Sequence, residues 1–74
     1  MTLEDLIKDE KNITNDLINL YQENYPTHLN KAEWWYNAIY ANLKKWGCKE
    51  LDAIEGANDY LINYYNGLVE HKYY

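Results

Sequence analysis

The chain has no arginine, no phenylalanine, a single cysteine, a single proline and only three glycines in 74 residues. One cysteine, Cys48, excludes an internal disulfide framework, and no Cys/His cluster offers a structural metal in its place. Gly47, Gly56 and Gly67 are isolated rather than gathered into a phosphate-cradling loop, and G-x-x-x-x-G-K-S/T, H-E-x-x-H, G-x-S-x-G and C-x-x-C are all missing. His28 and His71 stand too far apart for a local metal signature, and each is expected to be a solvent-exposed histidine. Cys48 has no histidine near it in sequence to act as a base, so it reads as a corner residue packed against Trp46. These absences argue against an enzyme and against any cofactor or metal. A long apolar run is missing too. The opening MTLEDLIKDEKN is acidic within its first five residues, so neither a secretory signal nor a membrane span is expected, and the cytosol is the expected compartment.

A chain this short buries roughly 60% of the surface its unfolded form exposes, which leaves a marginal core. With neither disulfide nor metal to supplement it, association of chains is the expected remedy, and the expected state is a homodimer. Nine tyrosines stand where other proteins divide aromatic duty with phenylalanine. Together with ten asparagines and lysine as the sole strong base, they reflect codons of a low-GC genome. Each tyrosine still joins a hydroxyl to a large apolar body, a combination enriched at interfaces.

The strongest helix signal, and the expected centre of the fold, is KAEWWYNAIYANLKKWG, Lys31 to Gly47. Asn30 followed by Glu33 reads as a capping box, Lys44 and Lys45 suit a helix C-terminus, and Gly47 reads as a left-handed stop. Ala32, Trp35, Tyr36, Ile39, Leu43 and Trp46 recur at helical spacing and form the expected core-facing stripe. A second row, Trp34, Ala38 and Ala41 with Tyr40 beside it, needs another neighbour and is the expected dimer interface. Upstream, Thr2 and Asp5 open a helix over about 3–24, with Leu3, Leu6, Ile7, Ile13, Leu17, Leu20, Tyr21 and Tyr25 on its buried side. A break near Asn12, with Thr14 capping a second segment, is the alternative. Pro26 ends that helix. Downstream, residues 49–71 read as a third helix with Leu51, Ile54, Ala57, Leu61, Tyr65 and Leu68 inward, and with a bend or a close helix contact at Gly56. No β-alternation, repeat or linker is visible. The expected fold is therefore all-α, a single-domain three-helix unit with helices at about 3–24, 31–46 and 49–71.

Charge is unevenly distributed. Residues 1–30 hold six acids against two lysines, net −4; residues 31–49 hold four lysines against Glu33, net +3; residues 50–74 hold five acids against Lys72, net −4, and the three sum to −5. On the first helix Asp5, Asp9, Asp16 and Glu23 share one face with Asn12 and Asn19. On the third, Asp52, Glu55, Asp59 and Glu70 share one with Asn63 and Asn66. At about 1.5 Å rise per residue, successive carboxylates stand on the order of 5 to 10 Å apart. Phosphates of DNA repeat on a comparable scale, with an axial spacing of about 3.4 Å per strand. A stiff row of acids can therefore offer a basic groove what a nucleic-acid backbone would. The expected partner is a protein surface that holds nucleic acid, and neither nucleic acid nor a membrane is an expected partner.

In length, acidity and low-GC composition, and in the rows Asp52, Glu55, Asp59 and Asp5, Asp9, Asp16, the chain resembles the small phage-encoded inhibitors of the bacterial DNA sliding clamp, the Twort phage type. That resemblance implies a dimer acting in the host cytoplasm as a DNA mimic, seated in the clamp's channel and blocking clamp loading and replication. No Q-x-x-L-F peptide is present to enter a clamp's hydrophobic pocket, which is compatible with binding in the channel instead. Small acidic anti-CRISPR inhibitors present similar features. A further likeness, in Tyr25-Pro26, Trp35-Tyr36 and Leu61-Ile62, is to the helical N-terminal domain of phage helicase loaders, which would imply a replication adaptor.

Overall fold

The computed structural model describes residues 2–71 and is all-α, with no strand among them. Three helices, α1 (Leu3–Asn24), α2 (Leu29–Lys45) and α3 (Glu50–Glu70), are joined by a 3-10 turn, Pro26–His28, and a short corner. α1 begins as its sequence predicts: the Asp5 N–H donates to Thr2 Oγ1 at 3.2 Å, and the Thr2 N–H donates to Asp5 Oδ2 at 3.3 Å. The helix runs unbroken through Asn12, so Thr14 caps nothing. It is buried instead.

The start of α2 departs from expectation. Asn30 and Glu33 form no capping box. Pro26, whose fixed φ and missing N–H suit the first position of a helical turn, opens the 3-10 turn, and that turn leads straight into α2. Leu29 and Asn30 are therefore already helical. The far end matches: Gly47 sits at φ +93, its N–H donates to the Lys44 carbonyl at 3.1 Å, and the Cys48 N–H donates to the Leu43 carbonyl at 2.9 Å. This is a Schellman stop, and a side chain at position 47 would be strained.

The three helices run up, down, up. α3 packs against both others while α1 and α2 touch only lightly, giving a slab of 38 × 26 × 18 Å. The organising element is therefore α3 and not α2. α3 supplies Ala53, Ile54, Ala57, Leu61 and Leu68 to the core, against Tyr21 and Tyr25 of the first segment and Ala32 of the second. Trp35 and Trp46, expected inside, are exposed, Trp46 to 74%. They lie to one side of the line from α2 to α3, and no third helix covers that side. On α1 the inward face is likewise rotated: Thr14, Tyr21 and Tyr25 are buried, whereas Leu3, Leu6, Ile13 and Leu20 face solvent.

α2 and α3 approach closely where small residues allow it. A Cβ added at Gly56 would lie 2.6 Å from Leu43 Cδ1, whereas one added at Gly67 would meet nothing within 4 Å. Helix propensity favours alanine over glycine by about 1 kcal/mol at either site. Gly67→Ala should therefore raise the unfolding free energy by roughly 0.5–1 kcal/mol in urea titration. Gly56→Ala should gain less, because Leu43 must move aside, and the gain should be larger when measured against Leu43→Ala as the background. An equal gain at both sites in the wild-type background would contradict the close approach.

Candidate functional site

All eight acids of the two rows are exposed: Asp5, Asp9, Asp16 and Glu23 along α1, and Asp52, Glu55, Asp59 and Glu70 along α3. Asp5 has a second duty as the capping partner of Thr2. Among the described residues, the ion pair found joins Lys44 to Glu50 at 3.2 Å and involves neither row. The lysines of the middle segment therefore do not neutralise the rows.

What holds the helices that carry the rows together is a buried polar knot that sequence reasoning missed. Asn58 is 2% exposed. Its Nδ2 donates to the Glu10 carbonyl at 3.0 Å and to Glu10 Oε2 at 2.9 Å, and its Oδ1 accepts the Thr14 hydroxyl at 2.6 Å. Both Glu10 atoms are acceptors, so the amide can point only one way. Further along, the Tyr21 hydroxyl donates to the Leu61 carbonyl at 2.6 Å, and Asn24 Nδ2 donates to the Tyr65 hydroxyl at 3.0 Å. Positions 10, 21 and 24 thus pair with 58, 61 and 65 in rising order, which makes α1 and α3 parallel, so the two rows run in the same direction. A signal for Asn58 was present. It lies four residues after Ile54 and three before Leu61, in the phase of the inner stripe.

The four residues expected to form a dimer face do not share one environment. Trp34, at 62% exposure, Ala41 and the half-buried Ala38 remain open to a partner. Tyr40 does not join them. It turns the other way, and its hydroxyl lies 2.8 and 2.7 Å from the two Glu50 carboxylate oxygens. That hydrogen bond, with the Lys44 ammonium second, holds the Glu50 carboxyl below its ordinary range, and the same bond raises the Tyr40 hydroxyl. Tyr40 thus staples the end of α2 to the start of α3. From Trp34 an aromatic band crosses onto α3. The Trp34 and Trp35 rings meet edge to face at 4.9 Å, and Tyr60 and Tyr64 stack at 5.9 Å. The Lys31 ammonium lies 5.9 Å over the Tyr64 ring. His28, expected in solvent, is half-buried, with Nδ1 2.9 Å from the Tyr64 hydroxyl.

A shallow cleft of about 170 Å³ lies between α1 and α2, lined by Ile18, Glu33, Tyr36 and Asn37 over Leu61, and it is small for a metabolite. Cys48 is a half-buried free thiol. No group of three or more His, Cys, Asp and Glu side chains among the described residues could hold a metal ion. No described helix is long and apolar enough to cross a membrane. Compared with family models, with curated proteins and with solved structures, the chain finds no match in any of the three.

Proposed function

We propose that the protein is a non-enzymatic phage inhibitor that uses its carboxylate rows as a stand-in for a DNA backbone, occupying the DNA-binding channel of a host protein, with the sliding clamp as the target. In this reading it works as a homodimer joined through Trp34, Ala38 and Ala41, and competes with DNA for lysine and arginine side chains lining the channel. The supporting observation is that two parallel helices each carry an exposed line of acids free of the lysines of α2. Two such lines offer a basic channel negative charge at two places at once. A host DNA-binding channel supplies the complementary sign, whereas DNA itself would be repelled.

Such contacts are made in water between mobile side chains, so they weaken as salt screens them. Binding to purified clamp, followed by fluorescence anisotropy, should lose at least about tenfold between roughly 50 and 200 mM salt, since each contact adds to the salt slope. Salt-independent binding would point to an apolar pocket and against mimicry.

A further inference from the structure

On the face of the α1–α3 layer that points away from α2, we infer a docking groove for a basic amphipathic helix. On α1, Thr14 and Tyr21 point into α3, and Ile18 points across the cleft toward Tyr36 and Asn37 of α2. Leu6, Ile13 and Leu20 recur every seven residues on the far side of that line, and all three are exposed. On α3, Gly56 and Tyr60 face α2, while Asn58 and Leu61 meet α1. Continuing round in the same direction, at about 100° per residue, come Ile62 and Val69, again seven apart and exposed. The two apolar rows therefore border one seam between parallel helices. It is an open strip with no helix of the described chain left to cover it.

The rims identify the occupant. Beyond the leucine row on α1 lie Asp9 and Asp16, and beyond Ile62 on α3 lie Glu55 and Asp59, all exposed. A second copy laid on the strip would bring acid against acid, and anionic lipid or nucleic acid would be repelled likewise. A helix with an apolar row at three- and four-residue steps, flanked by lysine or arginine, satisfies both parts of the surface. Backbone mimicry alone leaves the strip idle, so this inference stands or falls separately from the clamp reading.

The probe is a fluorescein-labelled Leu/Lys peptide of roughly 20 residues, long enough to lie along α1, with leucines at heptad positions. Two control peptides accompany it, one of the same composition scrambled and one with the leucines replaced by lysine or serine. The patterned peptide should bind at least tenfold tighter than either control. The Leu20→Gln/Ile62→Gln protein, its helicity checked by circular dichroism, should lose at least tenfold, whereas Trp46→Gln, at an exposed aromatic away from the strip, should bind as wild type does. Equal binding of the three peptides would overturn the inference, and so would an unaffected double variant. Sedimentation showing that the double variant turns a dimer into a monomer would also overturn it, because a second copy would then own the strip. Clamp binding by the double variant should be unchanged, since its row acids are intact.

Discussion

Tyr21→Ala should leave the chain largely unfolded at 25 °C, with the helical circular dichroism signal reduced and no cooperative urea transition. Tyr21 is wholly buried, its ring lies edge to face with Tyr65 at 5.4 Å, and its hydroxyl is bonded to the Leu61 carbonyl. Truncating a buried aromatic side chain costs about 3–5 kcal/mol, because burial is lost and a cavity is left. A single small core rarely supplies more than about 3–5 kcal/mol in total, so the loss consumes nearly all of it. Tyr21→Phe keeps the ring and removes only the hydrogen bond, at about 0.5–1.5 kcal/mol, and should stay folded. Alkaline titration gives a second readout. Burial pushes the Tyr21 hydroxyl well above the ordinary 10.0. Above that pH the unfolded chain sheds the proton while the folded chain keeps it, so stability falls with rising pH, by up to about 1.4 kcal/mol per pH unit from this group. Tyr21→Phe should flatten that fall. A Tyr21→Ala protein with a near-wild-type urea midpoint would mean that α1 does not dock on α3 through this ring.

Local signals carried the fold a long way. The Thr2/Asp5 box, Pro26 and Gly47 act within one turn of chain, and each marks an end that can be read without knowing the rest. The acid rows were legible for a similar reason: exposure on one helix face is a property of spacing alone. What could not be read was rotation. α1 carries two neighbouring apolar lines, and periodicity does not say which one turns inward. The choice falls to contacts forty or more residues apart in sequence, between Thr14 and Asn58 and between Tyr21 and Leu61. A polar residue in an apolar phase, as at positions 14 and 58, looks like a flaw in a stripe until its partner is known. Trp35 and Trp46 misled in the opposite way, since large apolar area suggests burial, yet α1 lies against the Tyr36 side of α2 and α3 alone does not cover them. The same shortage of covering material leaves Trp34 and the Leu6/Ile13/Leu20 line in solvent, so the smallness of the chain accounts for both errors.

Reversing Asp52, Glu55 and Asp59 to lysine should abolish clamp binding while leaving helicity intact. All three are exposed on α3 and none is in an ion pair among the described residues, so the substitutions disturb no packing. Reversal removes three attractions and adds three repulsions. At about 0.5–1 kcal/mol for each of about six exposed charge terms, the loss is about 3–6 kcal/mol, or roughly 10²- to 10⁴-fold in affinity. Net charge alone could mimic this effect, so placement has to be separated from total. The neutral triple Asp52→Asn, Glu55→Gln, Asp59→Asn shifts the net charge by +3. Lysines at the exposed α2 positions Asn30, Asn37 and Asn42 shift it by the same amount elsewhere. If a row of carboxylates is what the channel reads, the neutral triple should weaken binding by at least about tenfold and make it less salt-dependent, while the α2 triple changes binding far less. Equal losses from the two would show that only overall charge matters, and the row on α3 would have no claim to be the contact surface.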